Sequence, residues 1–134
     1  MPTLEELENK VWPAIDFESH LVVTCHRLRK KPIEDFTTED LRIMIGQNIG
    51  LQFLMPKAIT VLEDDPLADG DFYLGDLLKN VTSVNSSFLD RSPELLARIV
   101  LVTKRAMDLL QSSPFRNDAD LFKAFQRFTD KYAT

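Results

Sequence analysis

Glu39-Asp-Leu-Arg-Ile-Met-Ile-Gly-Gln-Asn-Ile-Gly-Leu-Gln-Phe-Leu-Met-Pro-Lys-Ala58 is the most apolar stretch of the chain, and its reading decides the fold. Leu41, Ile45, Ile49 and Gln52 follow helical spacing, while Ile43, Met44, Leu51, Phe53 and Leu54 crowd other faces, so the segment must be covered from several sides. Gln47, Asn48 and Gln52 stand among them. Buried amides need hydrogen-bond partners, so these three are expected to fix the packing register or to face a crevice. Gly46 inside the pattern costs roughly 1 kcal/mol against alanine and implies a neighbouring backbone close by. Gly50 and Pro56 punctuate the run. A break between them is expected, with Pro56 in the first turn of a helix reaching Asp64; a continuous helix kinked at Pro56 is the alternative. The amides and the shortness of the uncharged run between Arg42 and Lys57 exclude a membrane span, which needs about 20 mostly apolar residues.

Working outward, the chain of 134 residues is 44% hydrophobic and 28% charged with four glycines, enough to bury one core without disulfides or metals. Its amphipathic segments carry helical periodicity almost throughout, and no strong strand pattern appears. The expected fold is therefore all-α: a single-domain bundle of six to seven helices over residues 1–134, with a long central helix in the C-terminal half. Cys25 is the single cysteine and has no internal partner, and no basic-then-apolar leader opens the chain, which suits a reducing cytoplasm.

Upstream, Thr3 and Glu6 form a capping-box pair, and Leu4, Leu7 and Val11 extend one stripe toward Trp12, which reads as a packing residue. A second helix spans Asp16 to Lys30, burying Phe17, Leu21, Thr24, Cys25 and Leu28; Arg27, Arg29, Lys30 and Lys31 suit its C-terminal dipole. His20, Cys25 and His26 are metal-ligand types, but His20 and His26 lie roughly 120 degrees apart on a helix, so one ion cannot reach both. Thr37 caps the next helix. Downstream, Leu74, Leu77, Leu78 and Val81 suggest a short helix after Gly75, and Thr82-Ser83-Val84-Asn85-Ser86-Ser87 reads as a loop before Phe88 and Leu89 dock back. Ser92-Pro93-Glu94 opens the longest helix, through about Gln111. Asn117 or Asp118 caps the last helix, which buries Leu121, Phe122, Phe125 and Phe128, while Lys123, Arg127 and Lys131 balance its dipole.

Charge is unevenly placed. Residues 1–89 hold 15 acids against 8 bases, residues 90–134 hold 6 against 8, and the whole carries −5. Between Ala58 and Leu78 there is no lysine or arginine, but Glu63, Asp64, Asp65, Asp69, Asp71 and Asp76 crowd around a Pro-Leu-Ala-Asp-Gly turn. An acidic loop on rigid helices disfavours nucleic acid and speeds encounter with a basic partner, and Phe72, Tyr73 and Leu74 offer an apolar anchor. Asp64, Asp65, Asp69, Asp71, Tyr73 and Asp76 are the partner-binding candidates, the acids steering and the tyrosine anchoring. A calcium loop counted from Asp65 fits only in part. Leu67 stands at position 3 and the shorter Asp76 at position 12, so no metal or other cofactor is assigned.

Leu41-Arg42, Gly46-Gln47, Ile49-Gly50-Leu51, Leu54, Pro56 and Ala58, followed by Asp65-Pro66-Leu67 and Gly70 through Leu78, resemble the immunity proteins of contact-dependent growth inhibition. Leu74 stands where that pattern has proline, and the resemblance stops at Leu78. It implies a small cytosolic protein that binds and neutralises a toxin domain delivered by a neighbouring bacterium, and it brings no catalytic residues. The chain itself offers no nucleophile with a base, phosphate-cradling glycine loop or helix-turn-helix with a basic recognition face. The expected function is stoichiometric, one-to-one sequestration of a basic toxin, such as a nuclease, by a monomer with no enzymatic activity and no membrane or nucleic-acid partner. A helical adaptor with another protein partner is the alternative.

Overall fold

The computed structural model describes residues 2–12, 20–112 and 118–132. Among these residues there are eight α-helices, one 3₁₀ turn at Ile33–Asp35 and no strand. They are α1 (Leu4–Glu8), α2 (His20–Arg29), α3 (Thr38–Gly46), α4 (Leu51–Asp64), α5 (Asp76–Val81), α6 (Ser86–Asp90), α7 (Pro93–Ser112) and α8 (Ala119–Tyr132). The all-α expectation and the long helix hold. The extra helix is α6, in the polar stretch read as a loop. Asn85 heads it, and Leu89, its one buried side chain, pins it to the core.

The opening stretch forms α3, a tight turn and α4. Thr37 accepts from the Asp40 N–H at 3.1 Å, and the Asp40 carboxylate accepts back from the Thr37 N–H at 3.1 Å, a reciprocal cap that fixes where α3 starts. The break falls earlier than expected, at Asn48 and Gly50, both with positive φ (56° and 64°). Consequently α4 starts at Leu51, and Pro56 lies in its second turn. The proline ring there leaves the Gln52 carbonyl without its helical donor, but both residues are exposed, so water can satisfy it. Gln47, Asn48 and Gln52 are exposed rather than buried, because they occupy the turn and the outer face; Gln47 faces a crevice, as expected, and Asn48 accepts from the Asn85 N–H at 2.9 Å. At Gly46 the close neighbour is a side chain instead of a backbone. Asn80 of α5 donates to the Arg42 carbonyl at 2.8 Å, and a Cβ on Gly46 would lie 2.7 Å from its amide nitrogen.

The core runs through Leu54, Met55, Ala58, Ile59 and Leu62 of α4, with Leu41, Met44 and Ile45 of α3 on one side and Ile99, Val102, Ala106 and Leu110 of α7 on the other. Helix α8 closes it with Leu121, Phe125 and Phe128, and Asp118 caps that helix by accepting from the Leu121 N–H at 3.0 Å. Helix α5 packs on α3 and touches α8.

Helix α1 ends at Glu8, short of Trp12, because Asn9 turns left-handed (φ 51°). The Thr3–Glu6 capping box is present. Arg29 is 1% exposed: its guanidinium pairs with Glu8, donates to the Lys10 carbonyl at 2.6 Å and lies 4.3 Å from the Trp12 ring. Lys31 pairs with Asp40 at 2.6 Å. Two of the four cations assigned to the α2 dipole therefore tie that helix to its neighbours. Asp16 and Phe17, expected in its first turn, lie outside the described residues.

Candidate partner-binding site

The acidic loop leaves α4 against the grain of electrostatics. Glu63 and Asp64 occupy the last turn and Asp65 caps it, at the negative end of the helix dipole. Helix α7 offsets part of this. Arg98 grips the Glu63 carboxylate at 2.6 and 3.1 Å, and Arg105 donates to the Glu63 carbonyl at 2.8 Å. Asp64 and Asp65 stay exposed, and Asp65 accepts from the Leu67 N–H at 3.2 Å to start a turn. Pro66, Leu67 and Ala68 then plunge into the core as a peg, with Leu67 fully buried.

Beyond the peg, the loop is wrapped around one carboxylate. Asp76, 2% exposed at the first position of α5, accepts from the Gly70 N–H at 2.6 Å, the Phe72 N–H at 3.1 Å and the Tyr73 N–H at 3.3 Å. Glu39 of α3 accepts from the Asp71 N–H at 2.9 Å and holds Arg42 in a two-pronged pair, both contacts 2.5 Å. Arg42 also lies 3.6 Å from Asp76. Gly70 sits where these groups converge. A Cβ there would meet the Glu39 carboxylate and crowd Arg42 and Asp76, so an alanine would have to push Glu39 out of this network.

This scaffold presents side chains outward. Phe72 is 72% exposed, with the Arg42 guanidinium 3.9 Å from its ring centre, and Tyr73 is 46% exposed. Burial, reinforced by the Asp76 charge, pushes the Tyr73 phenol up, so it stays neutral at physiological pH. Between α2, α3 and the loop runs a groove of about 570 Å³ in which Leu21, Ile43 and Phe72 stand beside the charged side chains of Glu39, Arg42 and Asp71. With Glu39 committed to Arg42, Asp71 is the exposed acid left in that lining, beside apolar surface that can cover an aliphatic stem.

The Arg42 hydrogen bonds hold the Glu39 carboxyl below its ordinary value of 4.5. Burial pushes Asp40 up, but the Lys31 ammonium and the Thr37 cap outweigh it and leave the carboxyl below 3.8. Groups depressed on folding bind fewer protons folded than unfolded, so their contribution is complete above the unfolded values and is lost as pH falls through the folded ones. Urea denaturation should accordingly show level stability from pH 7 to about 5 and a decline toward pH 3. Glu39→Gln should flatten that decline; an unchanged slope would assign it to other carboxylates.

A family model described as CDI immunity proteins matches residues 6–99. The chain belongs to the CDI immunity proteins. The match extends past Leu78, where the sequence resemblance stopped, into α7, and it includes every residue of the acidic loop and of the groove. No curated protein and no solved structure matches this immunity protein.

Of the six candidates in the immunity protein, Asp64, Asp65, Asp69 and Asp71 are exposed, Tyr73 is half-exposed and Asp76 is buried beneath the loop. Asp64 and Asp65 flank the α4 end of the peg, while Asp71 reaches the groove. Phe72, expected with Tyr73 and Leu74 as an apolar anchor, is the most exposed of the three, and the sequence pattern assigns no role to Glu39 or Arg42. The i, i+3 spacing of Glu39 and Arg42 was the available signal for their pairing. Among the described residues no group of three His, Cys, Asp or Glu could hold a metal ion. His26 packs edge-on against Trp12 with ring centres 5.1 Å apart, and Cys25 is buried, which pushes its thiol up. No helix among the described residues is long and apolar enough to cross a membrane.

Proposed function

We propose that this protein neutralises the toxin domain of its CDI effector by binding it one-to-one through the acidic loop, in the cytoplasm of the protected cell. The toxin face that docks is basic, as befits a nuclease, and inhibition comes from covering that face, without catalysis. The observation that carries this reading is the loop itself: Asp76 and Glu39 hold its backbone from below, while Asp71 and Phe72 point an acid and an aromatic ring at solvent beside the groove. Asp64, Asp65 and Asp69 extend the negative field, Asp71 takes a cation at the rim, Phe72 and Tyr73 anchor, and Asp76 positions the rest.

Pull-down from the native organism followed by mass spectrometry tests the partner. Recovery of the C-terminal domain of a very large secreted protein, at equal stoichiometry after a salt wash, is the expected result, and that domain's activity should be blocked by the purified protein. Asp69→Lys with Asp71→Lys should slow association about tenfold at low salt and flatten its salt dependence, with dissociation changing less. An on-rate and salt slope equal to wild type would remove the loop from the interface.

A further inference from the structure

On the other side of α5 lies a second cleft, of about 280 Å³, walled by α5, α6 and α8. Three cations line it: Lys79 from α5, and Arg127 and Lys131 from α8. No acid lines it, in a chain whose net charge is −5. We propose that this cleft binds a phosphate-class oxyanion, either inorganic phosphate or a phosphate monoester.

Arg127 and Lys131 are four residues apart and share one face of α8, where like charges repel and destabilise the helix. Arg127 makes no hydrogen bond or ion pair among the described residues, and the Lys131 ammonium has only the ring of its neighbour Tyr132, at 5.1 Å. Helix-dipole compensation accounts for Lys131, which stands in the last turn, but not for Arg127. From the facing wall, Lys79 is held by Ser83, its Nζ 3.3 Å from the hydroxyl oxygen. That bond uses one of the three ammonium protons and leaves two for a ligand.

The neighbouring hydroxyls of Thr82 and Ser83 are committed as donors to the Lys79 carbonyl, at 3.0 and 2.7 Å, so donation to a ligand falls to the cations. Buried Phe128 belongs to the lining and gives the cleft an apolar base. Three cations lining one small cleft match a compact dianion better than a single carboxylate, and guanidinium with ammonium is the donor set that phosphate recognition uses.

The test is a ¹⁵N-HSQC titration of the whole protein with inorganic phosphate and, separately, with AMP, at ionic strength held constant with chloride. Saturable shifts centred on Lys79, Arg127 and Lys131, with a Kd of roughly 1 mM or below, are expected. Tighter binding of AMP than of phosphate identifies a monoester as the ligand; equal or weaker binding identifies the free anion. Arg127→Gln with Lys131→Gln should weaken binding at least tenfold, and so should Lys79→Gln on the opposite wall, while Lys104→Gln on α7 leaves it unchanged. Without phosphate, Arg127→Gln should keep or raise the melting temperature, because it relieves the repulsion; a cation serving only the helix would lower it. Shifts that grow linearly without saturating, that centre elsewhere, or that persist in the variants overturn the proposal.

Discussion

Asp76→Ala is expected to remove about 3 kcal/mol of folding stability and to weaken toxin binding with it. The carboxylate is 2% exposed and accepts three backbone N–H groups, from Gly70, Phe72 and Tyr73, while lying 3.6 Å from Arg42. Charge-assisted bonds are each worth about 1.5–3 kcal/mol, so a plain sum would be far larger. The loop can open to water once its acceptor is gone, and that relaxation limits the loss. Asp76→Asn keeps one acceptor oxygen and should fall between wild type and alanine. Urea midpoints measure the stability arm, and the association rate with the toxin domain measures whether the loop has lost its shape. A midpoint equal to wild type in Asp76→Ala would mean that the carboxylate does not hold the loop.

Phe72→Ala separates recognition from folding. A ring 72% exposed contributes little to the core, and its stacking on Arg42 at 3.9 Å is worth about 0.5–1 kcal/mol at an exposed site, so stability should change by less than about 1 kcal/mol. Binding should suffer more. Central aromatic anchors cost about 2 kcal/mol or more on truncation, so the toxin complex should weaken roughly 30-fold, chiefly through faster dissociation. Tyr73→Ala, starting half-exposed, should do less. Surface plasmon resonance on the purified pair reads both, and equal losses for the two would place the interface centre between them.

The helices that were legible in the sequence are those whose ends carry local chemistry. Thr3 with Glu6, Thr37 with Asp40, and Ser92-Pro93-Glu94 each satisfy or omit N–H groups within a few residues, so a reader of the chain needs no tertiary knowledge to place them. The acidic loop was legible as composition. What it does with its acids was not. Asp76 turns inward because its acceptor oxygens meet three backbone N–H groups, and backbone leaves no mark in a sequence. Glu39 reaches Asp71 across 32 positions, a pairing created only when α3 and α5 pack. Helix α6 escaped because Ser and Asn favour turns locally, and only the burial of Leu89 overrules them. Pro56 lies one turn deeper in its helix than the sequence predicts, since its tolerance depends on facing solvent, which spacing alone does not tell.

Helix α5 is six residues long, yet it begins with Asp76, sends Lys79 into one cleft and lends Asn80 to the other. A ligand that stiffens this helix from the Lys79 side would act on the same backbone that sets the shape of the acidic loop. Two sites joined by so short an element are thermodynamically linked if either ligand prefers one arrangement of it, and the linkage is reciprocal: whatever factor an oxyanion contributes to the affinity for the toxin, the toxin returns to the affinity for the oxyanion.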